Sequence, residues 1–182
     1  MTSRFLIPLR NNFCLTEFSI YDRESYVEHM RCKAISDNTL AIPYPYTKED
    51  AEWWINEKIK ETSSNQRPVT FAIRDPNGTL LGSVGFDGMV FGRDNKAELG
   101  YWLSDKYWGQ GIMTNAVTVL CSYAFDQMLL EKITASVFVT NEGSKKVMEK
   151  SGFRQEGLLK KHVKKNGQLI DSYIFARLKN EE

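Results

Sequence analysis

The stretch YWGQGIMTNAV, residues 107–117, sets two glycines at the step from an apolar strand into a helix. No other feature of the chain restricts its fold as much. A glycine costs a helix about 1 kcal/mol relative to alanine, so Gly109 and Gly111 stand where the backbone needs their freedom. Two needs fit: a tight turn, or the approach of something negatively charged to bare backbone N–H groups. Before the glycines, KAELGYWLS (96–104) has the alternation of a central strand. After them, Ala116, Val119, Leu120, Tyr123, Ala124 and Met128 recur at helical spacing, which predicts a helix from Asn115 to Met128.

The flanking segments extend this pattern. Asp75-Pro76-Asn77-Gly78 lies between VTFAIRD and TLLGSVGF, predicting a hairpin over 69–86. Lys165-Asn166-Gly167-Gln168 does the same for the last two strands. KITASVFV (132–139) is a β-branched, buried strand, and Asn141 is placed to cap EGSKKVMEKS, with Gly152 where a helix C-terminus favours positive φ. Towards the start, NFCLTEFS (12–19) is a strand and DRESYVEHMRCK (22–33) a helix carrying Tyr26, Val27 and Met30. IPYPY (42–46) cannot be helical, since each proline holds its predecessor extended. Thr47 with Asp50 forms a capping-box variant, and Trp53, Trp54 and Ile55 begin the apolar face of the helix that follows. The class is α+β: a mixed sheet with helices on both faces.

The chain of 182 residues suits a single domain over 1–182, with 42% hydrophobic and 26% charged residues. A net charge of +1 gives no reason to expect nucleic acid or anionic lipid as a partner. No apolar run approaches the roughly 18 residues of a membrane span, and MTSRFLIPLRNN has too short an apolar core for a signal peptide. Three scattered cysteines and two histidines argue against a disulfide framework or a metal site and for a reducing, cytoplasmic setting.

Phosphate-binding motifs narrow the glycine step. A P-loop needs Lys after its last glycine, and Gly111 is followed by Ile112; a dinucleotide fingerprint needs glycine at 114, where Thr114 stands. AELGYWLSDKYWGQGIMTNAV together with SVFVTNEGSKKVMEKSGFRQEG resembles the GNAT superfamily, and within it the RimJ/RimL-type N-acetyltransferases. The two blocks cover roughly 96–160, and the hairpins on either side fit the same plan. The resemblance implies the GNAT fold, a strongly twisted mixed sheet split in a V, with acetyl-CoA in the cleft and no metal.

Carried over position by position, the pyrophosphate loop falls on Gly109, Gln110, Gly111, Ile112, Met113 and Thr114, acting chiefly through backbone N–H groups. Trp108 and Met113 depart from the superfamily's general pattern. Trp102, Leu103 and Ser104 match the strand end that pairs with the pantetheine arm. Asn141 resembles the amide that holds the pantetheine, or it is a plain N-cap. Ser144 matches the serine that meets the departing thiolate, or it is a solvated first-turn serine. Met148 stands where many relatives have a tyrosine acid. Glu98 is the catalytic base that the resemblance puts forward, a surface ion pair being the alternative, with Glu156 and Asp171 behind it. Tyr44, Tyr46 and Trp53 are placed to wall the acceptor groove, or else cover the core.

The implied reaction is direct acetyl transfer to an amine in a ternary complex. At pH 7 a lysine-like amine with pKa about 10.4 is neutral about 4 times in 10,000, and an α-amine near 7.8 about one time in seven. That difference is worth about 3.5 kcal/mol. A poorly specified base therefore favours an α-amine, such as a protein N-terminus. The alternatives are a small amine (a polyamine, amino sugar or amino acid) and a catalytically silent CoA-binding module. The enzyme is expected as a monomer or homodimer.

Overall fold

The computed structural model describes residues 5–180, so the outermost residues of the domain expected over 1–182 lie outside it. The strands are β1 (Leu6–Pro8), β2 (Cys14–Thr16), β3 (Thr70–Arg74), β4 (Leu80–Asp87), β5 (Lys96–Leu103), β6 (Lys132–Phe138), β7 (Arg154–Lys165) and β8 (Gln168–Leu178). The α-helices are α1 (Arg23–Met30), α2 (Lys33–Asp37), α3 (Lys48–Asn65), α4 (Ile112–Gln127) and α5 (Glu142–Lys150). Together the strands make one mixed sheet in the order β1-β2-β3-β4-β5-β6-β8-β7. β5 and β6 run parallel with α4 as their crossover, and the other neighbours are antiparallel.

Both predicted hairpins form, each through its turn chemistry. Asp75 Oδ1 accepts the N–H groups of Asn77 and Thr79, at 2.9 and 2.8 Å, closing the β3–β4 turn. In the β7–β8 turn Asn166 (φ 50°) and Gly167 (φ 81°) are both left-handed, the two-residue geometry that matches strand twist.

Alternation along the strands builds two cores, one on each face. On β3, Phe71 and Ile73 join the cluster under α4, with Val84, Leu99, Val117 and Leu120, while Ala72 between them points to the other side. There Leu80 and Trp102 meet Tyr26 and Met30 of α1 and Ala51 and Ile55 of α3. On α4 it is Val117, fully buried, that takes the deep position, and Val119 is half-buried. The capping box of α3 is present: Thr47 Oγ1 accepts Asp50 N at 3.1 Å and Asp50 Oδ2 accepts Thr47 N at 2.9 Å.

Three expectations are corrected. The helix expected over 22–33 starts one residue later and breaks, because Cys32 is extended (φ −73°, ψ 107°) and α2 begins at Lys33. Asp22 itself belongs to the preceding 3-10 turn, where it completes a capping box with Ser19 and accepts both guanidinium nitrogens of Arg74, at 2.6 and 2.8 Å. The strand expected over 12–19 shortens to Cys14–Thr16, paired with a β1 that has too few residues to show alternation. Trp53 does not start the apolar face of α3. It is 66% exposed, and Ala51 and Ile55 are the buried residues, with Trp54 beside them.

Candidate active site

The sheet opens at its one parallel pair. β5 and β6 are in register only at Lys96↔Lys132, Ala97↔Ile133 and Glu98↔Thr134. Beyond that, β5 stays with β4 as far as Leu103↔Gly82, and β6 stays with β8 as far as Phe138↔Ser172. The facing edges from Leu99 and from Ala135 onward therefore turn backbone donors and acceptors into a wedge, where a ligand can take the place of a strand. Each flanking strand leads to a helix, so the N-termini of α4 and α5 both lie at this end of the sheet.

The glycine step forms the connection to α4. A 3-10 turn, Asp105–Tyr107, ends at Trp108, whose indole Nε1 donates to Leu103 O at 2.8 Å and locks the loop to the strand end. Gly109 (φ 73°) and Gly111 (φ 76°) are left-handed, and no protein atom lies within 4 Å of where a Cβ would be on either. The protein side thus needs glycine there for its dihedrals alone, and the space is open. Gln110 is exposed and its side chain donates to Lys106 O at 3.2 Å. Gly111 caps α4 without a side chain, and the first helical bond runs from Asn115 N to Gly111 O at 3.0 Å. The amides of Ile112, Met113 and Thr114 consequently head the helix, where its dipole favours an anion. Ile112 and Met113 bury their side chains in the core under α4, so only their backbone is on offer. Thr114 is half-buried.

At the end of β5, Trp102 packs edge-on to Tyr26 (ring centroids 4.9 Å apart) and Leu103 points into the opposite core. Ser104 is fully buried and its N–H goes to Leu81 O at 2.9 Å. Trp102 and Leu103 pack their side chains into the two cores, while the buried Ser104 Oγ finds no hydrogen-bond partner among the described residues.

Across the wedge, Asn141 caps α5, accepting Ser144 N on Oδ1 at 3.0 Å, while its Nδ2 reaches Asn38 O at 3.5 Å. Both ends of the amide are engaged, the second at the limit of a hydrogen bond. Ser144 Oγ lies 2.6 Å from the hydroxyl of Tyr101. Burial pushes the Tyr101 phenol up to about 12, against the contrary pull of the Ser144 bond, so Tyr101 stays protonated at neutral pH. Sequence reasoning overlooked Tyr101. Its signal was a phenol on the inward side of β5, which needs a polar partner once buried. Met148 is fully buried in the core.

Glu98 is exposed at the mouth of the wedge, on the opposite face of β5 from Tyr101, and among the described residues no ion pair engages it. The two alternative carboxylates are occupied. Glu156 pairs with Lys132 at 2.8 Å. Asp171 accepts Lys161 N at 2.7 Å and pairs with Lys160 at 3.0 Å, and these bonds hold its carboxyl below the ordinary value. Tyr46 is half-buried against Tyr26 (5.5 Å), and burial moves its phenol up to about 12; Tyr44 is exposed. The loop holding them is tied to the β7–β8 turn by Lys165 Nζ, which donates to the carbonyls of Thr39, Leu40 and Ile42. Trp53 stands exposed on α3 and does not cover the core.

Burial pushes the Cys121 thiol up to about 12 and raises that of Cys14, which disfavours a thiolate nucleophile at either. Among the described residues no cluster of three or more His, Cys, Asp or Glu is placed to hold a metal. No helix among them is long and apolar enough to cross a membrane.

Residues 12–154 match the family model described as an acetyltransferase (GNAT) domain. The chain is 39% identical over 103 residues to the probable N-acetyltransferase YjcK of Bacillus subtilis, covering 57% of each. To the [ribosomal protein uS5]-alanine N-acetyltransferase of Escherichia coli it is 28% identical over 123 residues, 67% of this chain and 61% of that one. Both alignments thus span about three-fifths of the relative's length. In fold it matches the structure of RimL, a ribosomal L7/L12 α-N-protein acetyltransferase in complex with coenzyme A. The TM-score is 0.85 at 19% identity, covering 96% of this chain and 98% of that one.

Proposed function

Because the chain belongs to the acetyltransferase (GNAT) domain family, we propose that it transfers an acetyl group from acetyl-CoA directly to an amine, and that the amine is the α-amine of a protein or peptide. The observation that carries this reading is the open wedge between β5 and β6, with the glycine-led N-terminus of α4 at one end and the Ser144–Tyr101 pair across it. The amides of Gly111 to Thr114 would hold the pyrophosphate, the free edge of β5 would pair with the pantetheine, and Nδ2 of Asn141 would exchange Asn38 O for it. No covalent enzyme intermediate is called for.

An incoming ammonium gives up one proton, and its nitrogen lone pair attacks the thioester carbonyl. The C–N bond forms, the C–S bond breaks, and Ser144 supplies the sulfur with its hydroxyl proton. The second proton leaving nitrogen restores that hydroxyl by way of Tyr101, so one proton in all reaches solvent. Backbone donors at the wedge would meet the oxyanion between these steps. The α-amine is supported by the small demand that it makes on a base, and by the α-N-protein and alanine acceptors that the names of RimL and the uS5 enzyme state for those proteins.

The test measures release of free CoA with four acceptors: a lysine-free peptide with an open N-terminus, the same peptide blocked and given one lysine, spermidine and an amino sugar. The open peptide should turn over with a kcat/KM at least about tenfold above the rest. Preferential turnover of spermidine or the sugar would overturn the acceptor assignment. Tight CoA binding without release for any acceptor would leave a binding module instead of an enzyme.

A further inference from the structure

Asp87, the last residue of β4, stands directly across from Glu98 in the β4–β5 register. The two carboxylates therefore share the α3 side of the sheet, with Cβ atoms about 5 Å apart by ladder geometry. The Asp87 side chain leans along the ladder towards the wedge. A Cβ placed on Gly100 would stand 2.9 Å from Asp87 Oδ2, closer than real contacts allow. Gly100 is not left-handed, so its backbone does not ask for glycine. What the missing side chain provides is room for this carboxylate, over the second residue of the freed stretch of β5.

Asp87 is an exposed residue at the end of its strand. Among the described residues no donor holds it in a hydrogen bond. Its electrostatic neighbour is the ammonium of Lys58 on α3, which is itself paired with Glu61 at 2.9 Å and set over the Trp54 ring. Burial raises the Asp87 carboxyl above the ordinary carboxylate value although Lys58 pulls the other way. A carboxyl raised above its ordinary value holds a proton better than an unshifted one.

We propose that Asp87, housed over Gly100, takes the proton from the acceptor ammonium, with Glu98 beside it attracting the cation. The inference rests on the acetyltransfer reading of the wedge. In the step, one N–H bond of the ammonium breaks and its proton bonds to a carboxylate oxygen. The nitrogen keeps the electron pair and spends it on the new C–N bond, and the proton then passes from Asp87 to water. A base acts only when deprotonated, so the rate climbs as pH rises through its pKa, and a raised pKa sets that climb above the usual carboxylate range.

The experiment follows kcat/KM against pH, using the open-N-terminus peptide, for the wild type, Asp87→Asn, Glu98→Gln, Gly100→Ala, Asp87→Ala and the Asp87→Ala/Gly100→Ala double variant. Melting temperature and calorimetric CoA affinity are recorded for each. Asp87→Asn should move the climb up to the amine's own pKa and cost up to about sevenfold at pH 7, where about one α-amine in seven is already neutral, recovering at high pH. Glu98→Gln should keep the limb, moved to somewhat lower pH because a neighbouring negative charge is gone. Gly100→Ala should slow the wild-type enzyme by displacing the carboxylate, yet cost less than about twofold in the Asp87→Ala background. An Asp87→Asn enzyme with the wild-type profile would overturn the proposal, as would an equal Gly100→Ala cost in both backgrounds. Those outcomes leave wild-type CoA binding and turnover standing, so they are distinct from failure of the acetyltransfer reading. A wild type that neither binds CoA nor turns over would remove both.

Discussion

At the scale of single residues, the fate of the departing thiolate turns on Ser144 and Tyr101, whose oxygens lie 2.6 Å apart. An interaction made mainly to a departing thiolate appears in kcat and kcat/KM alike and leaves ground-state binding alone. Ser144→Ala should therefore lower kcat about 10- to 100-fold with little change in the KM for acetyl-CoA. Tyr101→Phe should lower it less, since Ser144 can still meet the sulfur without its relay partner. Wild-type turnover in the serine variant, in a steady-state thiol assay, would return Ser144 to an ordinary position in the first turn of α5. Much at this scale was legible in the sequence. The Asn141 cap follows from residue type and spacing, as does the left-handed Gly152. Tyr101 and Asp87 were not legible, because each matters through a contact across strands or helices: a phenol to a serine 43 residues away, and a carboxylate over a glycine on the neighbouring strand.

At the scale of elements, local chemistry predicts where α3 begins and what its beginning is worth. Thr47 and Asp50 each satisfy one exposed amide, so Thr47→Ala should cost about 1 kcal/mol, lowering the melting temperature by about 2–4 °C for a chain of this size. Asp50→Ala added to it should cost clearly less than the two single changes together, because each side chain serves the same box. Additive losses by thermal melting would mean that the reciprocal pair is not formed in solution. The Asp22–Arg74 pair is a harsher case. Both side chains are largely buried, at 7% and 13% exposed, and Asp22→Ala strands a guanidinium, a change that costs about 3–5 kcal/mol in comparable sites. Turn and cap signals made both hairpins, α3 and α5 readable in advance. The first 40 residues resisted because β1 and β2 have three residues each, and because Asp22 is drawn out of its helix by a partner on β3.

At the scale of the whole molecule, the class and the two-faced layering followed from hairpins succeeded by a strand–helix–strand–helix unit. The wedge did not follow from the residues themselves, since nothing in β5 or β6 alone dictates that they part after Glu98 and Thr134; it came into the reading through family resemblance. The wedge and the glycine-led N-terminus of α4 together form the CoA site, and one titration separates that reading from its alternative. Aspartate tolerates left-handed φ better than most residues, so Gly111→Asp should fold. Its carboxylate would occupy the open space at the head of α4 and repel a pyrophosphate there. Calorimetric titration with CoA should show one site per wild-type chain and no measurable binding to a Gly111→Asp protein that still melts cooperatively. A folded Gly111→Asp that binds CoA with wild-type affinity would mean that the head of α4 does not hold the pyrophosphate.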